Sequence, residues 1–155
     1  MLFRSAVRAL AAAGIPAAVL AAPMIPAVND AELETILERA AAAGATSAGY
    51  VLLRLPLEIK QLFEDWLARH MPDRAARVLS LVRQTRGGAM YDSRFGVRQK
   101  GTGAYADLLA QRFAVASRRL GLERRGGGVG ALDCSQFRVP DVPGAVPKAA
   151  QLALF

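Results

Sequence analysis

The chain has 155 residues, of which 53% are hydrophobic and 21% are charged. This length and apolar content suit one ordinary globular domain and exclude a chain that is disordered throughout. The formal net charge is +7, and a single cysteine and a single histidine, Cys134 and His70, cannot assemble a disulfide framework or a zinc site.

The N-terminal third alternates between helical and strand patterns. Residues 3–13 form an amphipathic pattern that ends at Gly14, and residues 17–22 form a short apolar run. A second helix is predicted over residues 30–43, and residues 47–55 give the strongest strand pattern of the chain. Helices and strands in this order, with short connections, predict an α/β unit with parallel strands.

The apolar N-terminal run also raises the question of export. Arg4 and Arg8 before an alanine-rich stretch are typical of a secretory signal, so an exported basic protein is one alternative. The stretch is broken by Gly14 and by prolines, and we therefore expect a cytoplasmic protein without a membrane span. The prolines are Pro16, Pro23 and Pro26.

Beyond residue 56 the patterns are helical. Residues 57–71 and 73–83 are amphipathic, the glycine-rich stretch 87–103 follows, and a further helix is predicted over residues 104–120. The C-terminal tail begins with a run of glycines, contains three prolines and reads as extended. The predicted parts are an α/β part at 1–56, a helical extension with a Gly/Arg-rich loop at 57–125, and a flexible tail at 126–155.

Residues 85–113 combine five glycines, four arginines, one lysine and four aromatic residues. Glycine raises the ordering cost and arginine resists burial, so this mixture suits a loop that presents guanidinium groups and rings to an anionic partner. Between residues 74 and 125, bases outnumber acids twelve to three, which also indicates an anionic partner. The candidate contacts with nucleic acid or another substrate are Arg86, Tyr91, Arg94, Phe95, Arg98 and Lys100.

Other interpretations of this block stay open. Cations on phosphates and rings on bases would suit single-stranded or distorted nucleic acid. Alternatively, Tyr91 and Phe95 could anchor the loop on the helices while Asp92 pairs with Arg94, or a small anion could be the ligand. Residues 101–106 match G-x-G-x-x-A at the start of a helix, but no strand precedes them, so a dinucleotide site is poorly supported.

A second candidate site lies where the predicted strands end. Residues 23–30 follow the first strand, and Arg54 lies near the end of the second. The carboxyl ends of parallel strands form the edge at which α/β proteins bind ligands. The candidate ligand contacts at this edge are Pro23, Pro26, Asn29 and Arg54, although Arg54 could instead pair with a neighbouring carboxylate.

The chain ends in a candidate linear binding motif. Leu152, Leu154 and Phe155 could enter a groove of a partner while Gln151 fixes the register. The alternative is that these residues pack back on the body of the protein.

Four segments together resemble one protein family: PMIPAVND, GYVLLRLP, LFEDWLARHMPDRAARVLSLVRQTRGG and YDSRFGVRQKGTGAYADLLAQRF. They resemble the C-terminal half of radical SAM proteins of the spore-photoproduct-lyase-like group, often labelled DNA repair photolyases. The resemblance covers roughly residues 4–138. The terminal QLALF additionally resembles the pentapeptide with which bacterial replication and repair proteins bind the DNA sliding clamp.

The resemblance implies the last strands of a partial (β/α) barrel, a [4Fe–4S] cluster, and S-adenosylmethionine cleaved to an adenosyl radical in nucleic-acid-related chemistry. It also makes Pro23, Pro26, Asn29 and Arg54 candidate cofactor contacts. The family holds its cluster with a C-x3-C-x2-C motif, which this sequence lacks, since Cys134 stands alone. We therefore expect an inactive fragment that binds neither cluster nor cofactor alone; the alternative is a non-catalytic module that binds nucleic acid or the sliding clamp.

Overall fold

The computed structural model describes residues 2–122 and Arg138. Within these residues the structure contains six helices and a two-stranded parallel sheet, which confirms the predicted mixed α/β class. A short 3-10 turn, Asp30–Glu32, precedes the second helix. The elements are α1 (Leu2–Ala12), β1 (Ala18–Met24), α2 (Leu33–Ala42), β2 (Ser47–Leu52), α3 (Ile59–His70), α4 (Pro72–Gln84), α5 (Val97–Lys100) and α6 (Ala104–Arg119).

The two strands pair in parallel and are connected through α2. The pairing begins with Ala18 opposite Ser47 and ends with Met24 opposite Leu52, with a register shift near the end of β1. Pro23 lies within this irregularity and has no backbone N–H to give to the sheet. The carboxyl end of β1 therefore leaves the regular ladder just before the connector that was predicted to contact a ligand.

One face of the sheet carries the main hydrophobic core. Helices α2 and α6 cover this face, and the rings of Tyr50 and Phe113 meet with their centroids 4.9 Å apart. Burial of these apolar side chains is the main stabilising contribution of the fold. The largest fully buried side chains of this core are Met24, Leu33, Leu37, Leu52 and Leu109.

A second core lies beyond the carboxyl end of β2. Here α3 and α4 pack against each other and bury Leu67, Val78 and Val82 together with Leu55. Ile25 of the connector after β1 packs against the same cluster. The helical hairpin thus supports the segments that follow both strands, which is where the candidate ligand site was predicted.

The opposite face of the sheet is only partly covered by the described residues. Leu20 lies on this face opposite Gly49 in the ladder and is 62% exposed, and Ala18 is also exposed. Parallel sheets are ordinarily covered on both faces. This face therefore lacks apolar cover within the part of the chain that the structure describes.

None of the helices in residues 2–122 combines the length and apolar character needed to cross a lipid bilayer.

Helix α1 packs against the end of α2. Gly44 lies so close to Ala11 that a Cβ added at Gly44 would be 2.5 Å from the Ala11 Cβ. The sharp turn after α2 at this point needs the positive φ of +95° that glycine tolerates.

Several predicted boundaries differ from the structure. The first strand was predicted over residues 17–22, but β1 continues to Met24, so Pro23 belongs to the strand and not to the connector. The second helix was predicted from residue 30, but α2 begins at Leu33 after the 3-10 turn.

The strand predicted over residues 47–55 ends at Leu52: the Leu53 N–H still donates to the Met24 carbonyl, but the Leu53 carbonyl accepts from the Arg86 guanidinium and not from a strand. The glycine-rich stretch contains the four-residue helix α5, which was not predicted. Gly96 and Gly101 border α5 with positive φ angles of 84° and 74°, so the glycines mark the ends of a helix rather than a continuous loop.

Gly101 offers a test of how tightly the glycine-rich stretch packs. A Cβ at Gly101 would lie 2.9 Å from both the Leu52 Cδ1 and the Thr85 carbonyl oxygen, whereas a Cβ at Gly87 would meet nothing within 4 Å. Both glycines have positive φ, so Gly87→Ala should cost about 1 kcal/mol from backbone strain alone. Gly101→Ala should cost about 3 kcal/mol, because overpacking adds to the strain.

Urea unfolding followed by circular dichroism measures both free energies of unfolding. Equal losses for the two variants would show that the contact of Gly101 with Thr85 is loose.

Candidate functional site

One side chain stabilises the turn of the connector after β1. The Asn29 Oδ1 accepts a hydrogen bond from the Ile25 backbone N–H at 2.7 Å, and its Nδ2 donates to the Pro23 carbonyl at 3.0 Å. Pro26 is buried in the same turn. Asn29 and Pro26 therefore shape the turn, whereas Pro23 lies within β1 and is exposed.

A polar network fixes the connector to α6. The Tyr105 hydroxyl donates to the Asp30 carboxylate, and the Arg112 guanidinium donates to the Asp30 carbonyl at 2.9 Å and to the Glu34 carboxylate at 2.8 and 2.6 Å. Burial, together with the bond to Asp30, raises the pKa of Tyr105 to about 12. The hydrogen bonds from Arg112 lower the pKa of Glu34. The Glu34 carboxylate therefore stays charged at neutral pH, and the network keeps the connector in place.

Arg86 lies inside the protein. Its side chain extends from the end of α4, the residue is 3% exposed, and its two terminal nitrogens donate to the Leu53 and Val97 carbonyls at 2.8 Å each. Burial lowers its pKa, although an arginine stays protonated in proteins. Arg86 therefore joins the end of β2 to α5, and we assign it to the support of the site rather than to ligand contact.

Lys100 is also engaged by the fold. Its Nζ donates to the Tyr50 carbonyl at 2.8 Å and lies 3.6 Å from the centroid of the Tyr50 ring. A bond from the Thr102 N–H to the Thr85 carbonyl, 3.0 Å long, holds the next turn against the end of α4. Together these contacts hold α5 in position beside β2.

Arg54 connects the two candidate sites that the sequence suggested separately. Its guanidinium Nη2 lies 3.4 Å from the Tyr91 hydroxyl, to which it donates. The positive charge of Arg54 also contributes to the lowered pKa of Arg86, which places both guanidinium groups in one neighbourhood. The carboxyl edge of the sheet and the Gly/Arg-rich loop therefore meet at one surface.

An ion pair shapes the loop after Tyr91. Both the backbone N–H and the guanidinium of Arg94 donate to the Asp92 carboxylate, with a shortest distance of 2.6 Å. The Arg94 hydrogen bonds lower the pKa of Asp92 to about 2. The pairing of Asp92 with Arg94 that the sequence left open is thus present, yet the Arg94 side chain remains 74% exposed.

Phe95 and Arg98 complete the exposed part of the loop. Phe95 is almost fully exposed, and the Arg98 Cζ lies 5.6 Å from its ring centroid. Phe95 therefore does not anchor the loop on the helices. We call the exposed or half-exposed surface that these side chains form the basic rim; its members are Arg54, Tyr91, Arg94, Phe95 and Arg98.

The chemistry of the basic rim suits anions rather than metals. Planar guanidinium groups match the oxygens of phosphates and carboxylates. Within residues 2–122 no three His, Cys, Asp or Glu side chains come together in a way that could hold a metal ion. The described residues therefore do not fit a [4Fe–4S] cluster, and Cys134 lies outside them.

Comparison with known proteins leaves the family open: no family model matches the chain, and no curated protein or solved structure is significantly similar to it. The resemblance to radical SAM proteins therefore stays a hypothesis that rests on the sequence segments. The predicted motif at the C-terminus lies outside the described residues, so its role also stays a prediction. Its residues are Gln151, Leu152, Leu154 and Phe155.

Sequence reasoning missed the network around Asp30. The sequence did not connect Arg112 with Glu34, because the two lie 78 positions apart in the chain. An unusual run of acids near Asp30 and an arginine in a later helix were the only available signals. Such signals do not specify which charges meet.

The pH dependence of the Asp92–Arg94 pair can be measured directly. The carboxyl of Asp92 should titrate near pH 2 in the folded protein, and Arg94→Gln should return its pKa toward the ordinary 3.8. Because the pKa is lowered on folding, the pair stabilises the loop above about pH 4. That contribution is lost as the pH falls toward 2. Carbon NMR of the carboxyl group follows the titration.

Arg98→Gln is the matched control, since it removes the same charge from the same loop without touching Asp92. The described pairing is contradicted if both variants leave the Asp92 midpoint where it is in the wild-type protein.

Proposed function

We propose that this chain is the C-terminal half of a radical SAM iron–sulfur protein, whose intact form makes an adenosyl radical from S-adenosylmethionine in DNA-repair-like or other nucleic-acid-related chemistry. The described part would supply the last strands of a partial (β/α) barrel and the basic rim at their carboxyl edge. The resemblance of the four sequence segments carries the family part of this proposal. The contact of Arg54 with Tyr91, which joins the strand edge to the rim, supports a binding surface at that edge.

Two features of the sheet support a partial barrel. The order β1–α2–β2 with parallel pairing is the repeating unit of such a barrel. Helices cover one face of the sheet, while Leu20 and Ala18 are exposed on the other face. In a barrel that second face would point toward strands on the opposite side, which would supply its missing apolar cover.

No reaction step is assigned to this chain. Because the described residues do not fit an iron–sulfur cluster, the cluster and its chemistry would depend on cysteines outside them. Asn29 and Pro26 shape the connector, so Pro23 and Arg54 are the remaining candidates for contact with a cofactor at the edge. The isolated chain would show no turnover, and a cytoplasmic location is part of the proposal.

A second candidate function is supported by the charge of the chain. The basic rim is formed within residues 54–98, and the net charge of the chain is +7. A rim and a charge of this kind are sufficient for a module that binds nucleic acid without catalysing a reaction. In either case the terminal QLALF would bind the sliding clamp and bring the protein to DNA.

Binding of single-stranded DNA tests the part of the proposal that both candidates share. Arg54→Gln combined with Arg98→Gln should weaken binding of a labelled oligonucleotide by about tenfold or more. The slope of log K against log salt should fall by about 1.4, since two phosphate contacts are lost. Fluorescence anisotropy at several salt concentrations measures both quantities.

Arg4→Gln combined with Arg8→Gln removes the same charge from exposed positions on α1 and serves as the control. If this control weakens binding equally, the effect is one of net charge and the rim is not the binding surface.

The radical SAM part needs a separate test. The reading frame should continue upstream of Met1 and encode a C-x3-C-x2-C motif, and the polypeptide extended in this way should release 5′-deoxyadenosine from S-adenosylmethionine after anaerobic reconstitution. The 155-residue chain treated in the same way should release none. A reading frame that encodes no such motif upstream of Met1 would exclude this candidate. Turnover by the 155-residue chain would overturn the expectation that it is inactive alone.

A further inference from the structure

The tip of the basic rim carries an aromatic side chain that contributes nothing to the core. Phe95 is 91% exposed, which makes it the most exposed of the large apolar side chains that the structure describes. Burial of an aromatic ring is among the largest stabilising contributions available to a protein. A phenylalanine left in water on a basic surface is therefore suited to a ligand that covers it.

The backbone that presents Phe95 is fixed on both sides. Before it, Arg94 is bound to Asp92 through its backbone N–H and its guanidinium. After it, the Arg98 N–H donates to the Arg94 carbonyl at 2.9 Å, and the buried Arg86 holds the Val97 carbonyl. Because the backbone that carries the ring is already ordered, less conformational freedom is lost when a ligand covers the ring, and this favours binding.

The groups around the Phe95 ring favour a ligand that is flat and negatively charged. The guanidinium of Arg98 lies over the Phe95 ring at 5.6 Å, and the high exposure of Phe95 leaves much of the ring open to water. The side chain of Arg94 is 74% exposed, but Asp92 balances its charge, so Arg98 supplies the net positive charge beside the ring. Nucleobases joined by phosphates provide both a flat ring and negative charges, whereas an apolar protein surface would give the cation no partner.

Tyr91 is less suited to the same role. It is half-buried, and its hydroxyl accepts the hydrogen bond from Arg54. Of the two rings that the sequence offered for stacking, the structure therefore makes only Phe95 available.

We propose that Phe95 stacks on an unpaired base of single-stranded or locally unstacked nucleic acid while Arg98 contacts a flanking phosphate. The inference rests on the nucleic-acid function proposed above and names its ligand class. Bases inside a regular duplex are covered on both faces by their neighbours, so a ring can stack only on a base that is already exposed. Single strands are accordingly bound more tightly than duplexes of the same length.

The salt dependence of binding separates stacking from charge. Phe95→Ala should weaken the binding of single-stranded DNA by roughly 10- to 100-fold, as expected for the loss of one stacked base. The slope of log K against log salt should not change, because no phosphate contact is lost. Arg98→Gln should lower that slope by about 0.7. Phe95→Trp should retain wild-type affinity, since tryptophan also stacks.

Two controls complete the experiment. Leu62→Ala removes another exposed apolar side chain, on α3, and should leave binding unchanged. An oligonucleotide with the same phosphates but without bases should bind the wild-type protein and the Phe95→Ala variant equally well.

The possible failures are distinguishable. If the wild-type protein binds no nucleic acid, the proposed function is wrong. If the wild-type protein binds single-stranded DNA and Phe95→Ala binds it equally tightly, only the stacking inference is overturned. If both Phe95→Ala and Phe95→Trp lower the melting temperature and weaken binding together, Phe95 supports the loop and does not contact a base.

Discussion

The candidate site depends on the buried guanidinium of Arg86. Its two bonds, to the Leu53 and Val97 carbonyls, join the segment after β2 to the start of α5. Burying a cation carries a large desolvation cost, which only well-formed hydrogen bonds can offset. The Nε of Arg86 has no acceptor among the described residues, so the carbonyl bonds and the nearby negative charge of Asp92 provide the compensation.

The position of the basic rim follows from this anchor. Because Arg86 fixes Val97, the loop that carries Phe95 is held close to Arg54 at the carboxyl edge of the sheet. Lys100 reinforces the arrangement by binding the Tyr50 carbonyl. A surface held in this way can bind a ligand with little ordering cost, because its side chains are already in place before the ligand arrives.

The fold class could be predicted from the sequence, since apolar runs and helix-ending glycines such as Gly14 and Gly44 are local signals. The site could be predicted only in pieces. Arg86 was expected on the surface because arginine usually resists burial, but its acceptors lie 33 and 11 positions away in the chain. Arg54 and Tyr91 were placed in different candidate sites because 37 positions separate them. Contacts of this kind depend on the packing of α3 and α4, which no local pattern specifies.

Hydrogen exchange of an Arg86→Met variant tests the central role of this anchor most directly. Methionine fills similar space but donates no hydrogen bond, so the amides of Arg98 and Gly101 should exchange roughly tenfold faster or more, while those within α2 stay protected. Binding of single-stranded DNA should weaken in parallel. Unchanged exchange at Arg98 and Gly101 in a folded variant would contradict the account, because the loop would then be held in place without Arg86.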